Sequence, residues 1–387
     1  MGIQKSADSF GVLVVGGGVA GATVAERLGR AGVTVHLIEK QADIGGHVAD
    51  MGCKATDVCL KCNVCVAHTI LRKVKTIPAV CIHTHTEIID VHDGKNGSRF
   101  TAVLRSVAPE GKSPAKRRRH SIHLKSGFHA GISITEPNTI DVDAIVVAIG
   151  YDPYDPLENS SFGYGRVLNI ITGMEAEKQL AAHHRIVRIT DGQTPQRIAF
   201  IQCVGSRTEE VYRRPEDTDY CSTVCCSYAL RMARLMKYQA EESQITIFYM
   251  DIQNFGKGFD TFYRECKEKM RFIRSRPYEL NQGPNGSVRI KYTPEHAALE
   301  MSGVCEEEFD LVVLAVGIRP SAECRILSDK LGMAVDEQGF FGMKGLSGLP
   351  DVAREGFFVA GACESPKDIA GSIAQAEAVS ALILHSR

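Results

Sequence analysis

The sequence has no long apolar run and almost no net charge. None of its apolar stretches approaches the roughly 20 residues that span a bilayer, and its first ten residues lack the apolar core of a signal peptide. The formal net charge of −1 provides no general attraction to nucleic acid or to an anionic membrane. We therefore expect a cytoplasmic protein without nucleic-acid binding and without direct membrane insertion.

Tryptophan is absent as well, whereas the 387 residues include 13 cysteines and 36 glycines. In a reducing compartment, cysteines are more often metal ligands or redox groups than disulfide partners. Hydrophobic residues make up 44% of the chain, which is the composition of a globular protein with a substantial core. At this length, two domains are the default expectation.

A glycine-rich stretch, "GGGVAG", follows a short apolar run at residues 11–15. Gly16, Gly18 and Gly21 match G-x-G-x-x-G, and the helix and strand predicted after it end at Glu39. Such glycines allow a tight turn, close approach of a pyrophosphate and close helix packing, while the terminal carboxylate binds ribose hydroxyls. The order of these parts predicts a dinucleotide site.

Three further segments favour FAD over NAD at this site. The pair Gly45-Gly46 resembles a pair found in many flavoproteins, and "DAIVVAIGYDPYDP" and "DLVVLAVGIRP" are near copies typical of domain crossovers. Near the C-terminus, "GFFVAGACESPKDIAGSIAQ" predicts a strand ending at Gly361 and a helix starting near Gly371, although Ala362 replaces the usual Asp. The predicted cofactor-binding residues are Gly16, Gly18, Val19, Ala20, Gly21, Glu39, Lys40, Gly45, Gly46, His47, Gly150, Gly361, Ala362, Ile373 and Ala374.

These segments predict an α/β fold like that of thioredoxin reductase and glutathione reductase, with two Rossmann-type domains. The FAD-binding domain is expected at residues 1–155 and 300–387, with residues 156–299 inserted as the second domain. An alternating hairpin with an Asn96-Gly97 turn is expected within the first domain.

The predicted insert lacks the second glycine fingerprint, of which only Gly205 remains, so we expect no nucleotide site there. Four cysteines occupy the corresponding region: Cys203, Cys221, Cys225 and Cys226. Two adjacent cysteines cannot readily bind one zinc at tetrahedral angles, whereas an iron–sulfur cube presents separate iron corners. The pattern favours a cluster over zinc, and both over a strained vicinal disulfide or unrelated thiols.

A second cysteine group, "CKATDVCLKCNVC" at residues 53–65, follows the glycine loop. Cys59, Cys62 and Cys65 form the C-x2-C-x2-C run of a cluster-binding loop, but Thr69 stands where the usual fourth cysteine would be. Cys53 is the preferred fourth ligand, and Cys81 is the alternative. A zinc site remains open for this group.

The segments "FIQCVGSR", "YCSTVCCSYA" and "FFVAGACESPKDIAGSIAQA" resemble the signature of HdrA, the flavin-binding polypeptide of heterodisulfide reductase, and its relatives. The resemblance implies FAD, a [4Fe-4S] cluster on the four cysteines of the insert, and partner subunits that carry out thiol–disulfide chemistry. The loop at 53–65 is most similar to that of the short HdrA-like polypeptides in sulfur-oxidising prokaryotes, which implies a second [4Fe-4S] cluster. We also expect a homodimer.

Two other functions stay open at this point. A self-sufficient NAD(P)H–disulfide oxidoreductase would use Cys59 and Cys62 as its redox pair, but it needs the missing second fingerprint. A zinc-stabilised scaffold without enzymatic activity is the third hypothesis. Arg231, five residues after Cys226, is either a cation near the flavin that raises a reduction potential or a plain surface residue.

Overall fold

The computed structural model describes residues 10–95, 97–107, 138–208, 210–212, 214, 217–254, 256–295, 303–342 and 355–387. Its strands, in chain order, are β1 (Gly11–Val15), β2 (Thr34–Ile38), β3 (Val80–His83), β4 (Thr86–Asp93), β5 (Phe100–Ser106), β6 (Asn138–Val142), β7 (Ala144–Val147), β8 (Tyr151–Pro153), β9 (Ile170–Thr172), β10 (Arg197–Val204), β11 (Gln244–Tyr249), β12 (Arg271–Arg274), β13 (Glu279–Gln282), β14 (Val288–Tyr292), β15 (Cys305–Phe309), β16 (Leu311–Val316), β17 (Ile318–Pro320) and β18 (Phe357–Val359).

The α-helices are α1 (Val19–Arg30), α2 (Val64–Val74), α3 (Gly173–His183), α4 (Cys225–Gln239), α5 (Phe259–Lys269), α6 (Glu323–Leu331) and α7 (Ile369–His385). Short 3-10 helices lie at Gly46–Asp50, Pro156–Glu158, Ser160–Phe162, Glu210–Tyr212 and Pro284–Gly286. Within the described ranges, no helix combines the length and the apolar character needed to cross a membrane.

The first domain is built on a parallel sheet with the strand order β18–β7–β1–β2–β3. Its strand β1 is buried on both faces, which explains its continuous apolar run. Helices α1, α2 and α7 pack on one face, while α6 and the antiparallel sheet β4–β5–β6 cover the other. The hairpin predicted for β4 and β5 is confirmed, although Asn96 of its turn lies outside the described residues.

The second domain repeats this plan on a parallel sheet with the order β12–β11–β10–β16–β9. Helices α3, α4 and α5 pack on one face, and the antiparallel sheet β13–β14–β15 packs on the other. Two domains with the same three layers confirm the predicted fold class.

Two short strands mark the crossovers between the domains. β8 and β17 follow the two near-copy strands, β7 and β16, and pair with each other in antiparallel fashion. The predicted return to the first domain near residue 300 is wrong. β16 lies between β10 and β9 in the second sheet, and β15 pairs with β14, so the chain returns only after residue 316.

Candidate functional site

The turn between β1 and α1 has the geometry of a phosphate-binding loop. Gly16 adopts φ +103°, and a Cβ at Gly21 would lie only 1.9 Å from the Gly16 carbonyl oxygen. A Cβ at Gly18, in contrast, would meet no atom within 4 Å. Helix α1 has neither a side-chain cap nor an acidic residue in its first turn. Its N-terminus therefore presents N–H groups and positive potential to the open space beside Gly18.

This space belongs to a cleft of about 960 Å³ that is lined by residues of both domains. Its lining includes the predicted binding residues Gly16, Gly18, Val19, Ala20, Glu39, Lys40, Gly45, Gly46, His47, Gly150 and Ala362. The sequence had given no direct indication that the insert contributes Gly173, Glu177 and Tyr228 to the same cleft. The volume lies in the range of ligand-binding clefts.

Four predicted residues are not among those that line the cleft, all of them in the described part of the chain: Gly21, Gly361, Ile373 and Ala374. Gly21 instead packs under the glycine turn, and a Cβ at Gly361 would lie 2.6 Å from that of Ala20. Helix α7 starts at Ile369 and turns Ile369 and Ser372 toward the cleft, because residues three apart share one helix face.

Glu39 and Lys40 lie where β2 ends at the cleft. Glu39 accepts hydrogen bonds from the backbone N–H groups of Gly17, at 2.9 Å, and Gln41, at 2.8 Å. These bonds fix the orientation of its carboxylate while leaving lone pairs for further donors. Lys40 forms an ion pair with Glu323 of α6.

The four cysteines of the insert line one small buried pocket: Cys203, Cys221, Cys225 and Cys226. Cys203 has φ +58° where the register of β10 is irregular, and Cys225 and Cys226 begin α4. Backbone hydrogen bonds from Arg207 to Tyr220 and from Thr218 to Gly205 fold the intervening segment back on itself. This folding brings Cys221 beside the other three cysteines.

Burial controls the protonation of these thiols in the metal-free chain. It raises the pKa of Cys225 and Cys203, and it raises that of Cys226 to about 12, with the neighbouring thiols adding to the effect. Arg207, which is paired with Asp251, opposes the shift at Cys203. The thiols must therefore lose protons to a bound cationic centre before they can act as ligands.

The spacing of the sulfur atoms separates the possible occupants. A tetrahedral zinc site holds its sulfurs about 3.8 Å apart. In neither cysteine group, both of which lie wholly within the described residues, do three sulfurs fall within 4.8 Å of one another. The four-cysteine pocket therefore fits a group larger than one zinc ion, such as an iron–sulfur cube with separate iron corners.

The first cysteine group is far more accessible. Cys53, Cys59 and Cys65 are exposed, whereas Cys62 is half-buried and lines the cleft. Cys65 is not in a loop, as the prediction for residues 53–65 had it, but in the first turn of α2. The N–H of Lys61, a residue with φ +52°, donates to Cys59 Sγ at 3.4 Å.

Two contacts connect this cysteine segment to the insert. Lys54, 2% exposed, forms an ion pair with Glu177 of α3 at 2.6 Å, and Glu177 also accepts a hydrogen bond from the Gly52 N–H. Arg231 of α4 donates from Nε to the Leu60 carbonyl oxygen at 2.7 Å. The segment is thereby held against the insert on both sides of Cys59.

Arg231 also lines the cleft, which contradicts its interpretation as a plain surface residue. Burial lowers its pKa, while the neighbouring Cys62, Asp368 and Cys59 favour its charged form. Sequence patterns missed Lys54 and Glu177, since partners 123 residues apart leave no local signal. Cys81 lies on β3 beside His36 and His83.

Comparison with known proteins gives two kinds of evidence. A model of the NAD(P)-binding Rossmann-like domain matches residues 14–58, which include the glycine turn and Glu39. A CoB–CoM heterodisulfide reductase iron-sulfur polypeptide of the HdrA type, from Methanopyrus kandleri, is 33% identical over an alignment of 426 positions, covering 95% of this chain and 63% of that protein. The chain belongs to the HdrA family of heterodisulfide reductase.

A further member of this family is the HdrA-type polypeptide of the H2:CoB–CoM heterodisulfide,ferredoxin reductase of Methanothermobacter marburgensis. It is 30% identical over 424 positions, covering 95% of this chain and 62% of that protein. The chain thus spans less than two thirds of the length of these curated relatives.

Solved structures confirm the fold. The thioredoxin reductase of T. acidophilum superposes with a TM-score of 0.56 at 15% identity, covering 97% of this chain and 99% of that one. The thioredoxin reductase of Lactococcus lactis gives the same score and identity, with 97% and 98% coverage. The predicted thioredoxin-reductase-like architecture is confirmed.

Proposed function

We propose that this chain is the flavin and iron–sulfur electron-transfer subunit of an oxidoreductase complex of the heterodisulfide reductase type. One observation carries the proposal: helix α4 serves two sites at once. Its first residues, Cys225 and Cys226, line the four-cysteine pocket, while Ser227, Tyr228 and Arg231 line the cleft. A redox centre in each place would be separated by little more than one helical turn.

The cleft fits FAD. The glycine turn offers the α1 N-terminus to a pyrophosphate, and the oriented carboxylate of Glu39 can accept hydrogen bonds from ribose hydroxyls. The N-terminus of α7, at Ile369 and Ser372, contributes positive potential on the opposite side. When bound, FAD supplies two-electron chemistry, and [4Fe-4S] clusters supply single-electron steps.

Two cysteine groups would hold the clusters. Cys203, Cys221, Cys225 and Cys226 form the first ligand set, supported by their shared buried pocket. The second set is Cys59, Cys62 and Cys65, with Cys53 as its fourth member. Lys54 and Glu177 anchor the backbone next to Cys53, and Arg231 fixes the backbone next to Cys59. These contacts let the chain present an accessible cluster at the rim of the cleft.

The alternative of a self-sufficient NAD(P)H–disulfide oxidoreductase finds less support. In the insert, a Cβ at Gly205 would lie 2.1 Å from the Tyr154 ring, so this glycine serves close packing. Cys225 and Cys226 occupy the first turn of α4, where a nucleotide phosphate would need free N–H groups. Neither feature leaves a pyrophosphate cradle in the second domain.

We further propose that partner subunits carry out the disulfide chemistry, as in the heterodisulfide-reductase-like complexes of sulfur-oxidising prokaryotes. The loop without the x3-C-P ending supports this type of relative. We also propose a cytoplasmic location and a homodimer within the complex. Co-purification of tagged chain from its native cells, followed by mass measurement of the intact assembly, tests both the partners and the stoichiometry.

Anaerobic purification followed by metal and flavin analysis tests the function. We expect one FAD and about eight irons per chain, matching two cubane clusters, with EPR signals at low temperature after reduction by dithionite. NADH and NADPH should reduce the flavin only slowly without partner subunits. A rapid reduction by either nucleotide supports the self-sufficient enzyme, and a colourless zinc protein supports the scaffold; both results contradict the proposal.

A further inference from the structure

His36, Cys81 and His83 form a group of metal-ligand side chains apart from the two cysteine groups already described. Their ligand atoms all lie within 4.8 Å of one another. Among the residues that the structure describes, this is the only group of three or more histidine, cysteine or acidic side chains that meets this distance. Neither the cleft nor the four-cysteine pocket includes any of the three.

The parallel pairing of β2 and β3 creates the group. His36 is paired with Cys81, and Ile38 is paired with His83. Partners in a parallel ladder point to the same face, and residues two apart on a strand share that face. The three side chains therefore project from one face of the sheet, while Leu37 and Ile82 contribute to the core on the other.

The distances fit a single metal ion. His36 Nδ1 and His83 Nε2 are 3.1 Å apart, and their rings are stacked. A zinc ion bound tetrahedrally would hold two imidazole nitrogens about 3.3 Å apart, and a nitrogen and a thiolate sulfur about 3.6 Å apart. The nitrogen pair needs almost no movement to accept the ion, and Cys81 needs at most a side-chain adjustment.

The surroundings also suit a bound cation. Burial lowers the pKa of His83, which keeps its imidazole neutral and able to coordinate. Cys81 is exposed, so an ion can reach the site and a solvent molecule can occupy a fourth position. β3 is the edge strand of the first sheet, and a metal link to β2 would hold this edge in place.

We propose that His36, Cys81 and His83 bind one divalent zinc ion, with the fourth coordination position open to solvent. Zinc is the appropriate ion because it combines imidazole nitrogen with thiolate sulfur and is stable in a reducing compartment. The proposal does not depend on the function of the cleft. It assigns Cys81 to zinc and thereby removes it as an alternative ligand for the cluster on residues 53–65.

The test uses the full chain purified anaerobically, with its flavin and iron content measured first. Zinc chloride is added, the excess is removed, and the zinc is examined by elemental analysis and by X-ray absorption at the zinc edge. We expect one zinc per chain with one sulfur neighbour at about 2.3 Å and two nitrogens at about 2.0–2.1 Å. A zinc shell made of sulfur alone, or of oxygen alone, overturns the proposal without any variant.

Variants provide the second line of evidence. Cys81→Ser and His83→Gln should each weaken zinc binding at least tenfold and leave iron and flavin content unchanged. Cys305→Ser, a half-buried cysteine on β15, and His92→Gln, an exposed histidine on β4, are matched controls that should bind zinc normally. Unchanged zinc affinity in both site variants overturns the proposal, as does a loss of iron in Cys81→Ser, which would make Cys81 a cluster ligand.

Discussion

The two cysteine groups share a local conformation but differ in their surroundings. In each, the backbone N–H of a residue two positions after a cysteine donates to its sulfur: Lys61 to Cys59 at 3.4 Å and Thr223 to Cys221 at 3.3 Å. Both donors adopt a positive φ, +52° and +58°. Hydrogen bonds of this kind stabilise a thiolate and tune the potential of a bound cluster.

Exposure distinguishes the groups. Cys203, Cys225 and Cys226 are each about 5% exposed, whereas Cys53, Cys59 and Cys65 lie at the surface. An accessible cluster can exchange electrons with a partner protein, and a buried cluster is protected from solvent while it serves the cleft. The comparison indicates that the outer group faces a partner protein and that the inner group serves the cleft.

The largest contrast should appear in thiol reactivity. In iron-depleted protein at pH 8, a pKa of about 12 reduces the thiolate fraction of Cys226 about 1000-fold relative to an ordinary thiol. Brief iodoacetamide treatment, with mass spectrometry of the labelled peptides, should therefore modify Cys59 long before Cys226. Labelling of Cys226 should rise about tenfold per pH unit between pH 8 and 11, because the thiolate reacts. Equal labelling rates for both groups would remove the contrast.

Breaking the anchor between the two regions should cost nearly as much. Lys54→Met leaves the Glu177 carboxylate buried without its partner, which should lower the free energy of unfolding by about 3–5 kcal/mol. The double variant Lys54→Met with Glu177→Met should recover most of the loss, because no buried charge remains. Denaturant unfolding followed by circular dichroism measures both. A single variant as stable as the parent would show that the pair does not hold the regions together.

A smaller effect is expected at Arg231. Arg231→Gln removes the charged hydrogen bond to Leu60, worth about 1.5–3 kcal/mol, and should speed amide hydrogen exchange around Cys59 and Cys62. Arg234→Gln, on the same helix but paired with Glu265, is the matched control and should leave this exchange unchanged. Equal exchange in the two variants would mean that Leu60 is held by other contacts.

The smallest change concerns the fourth ligand of the outer group. Cys53→Ser should weaken that cluster without affecting the buried one, since a serine oxygen replaces only one of its four ligands. The outer EPR signal should shift or broaden while flavin content stays constant. If Cys53→Ser leaves the spectrum identical to that of the parent, Cys53 is not a ligand.

Sequence patterns predicted the elements in which local chemistry dominates. The glycine turn, both parallel sheets and the identity of the four buried cysteines as a group followed from periodicity and motif. The domain boundary near residue 300 failed because β16 and the matching strand β7 have nearly the same sequence, and only pairing shows which sheet each joins.

Long-range contacts explain the remaining gaps. The Lys54–Glu177 pair, the bond from Arg231 to Leu60 and the grouping of His36 with Cys81 all join distant segments. Ile373 and Ala374 were placed at the cleft because the predicted start of α7 was too late. A two-residue shift on a helix turns a different face toward the ligand.

Iron analysis of the Cys226→Ser variant tests the central claim most directly. The variant is purified anaerobically beside the parent protein, and iron, flavin and low-temperature EPR spectra are compared. We predict a loss of about four irons per chain, full retention of FAD and an unchanged signal from the outer cluster. An unchanged iron content, or a parent protein that contains zinc in place of iron, would contradict a cluster in the four-cysteine pocket beside the flavin cleft.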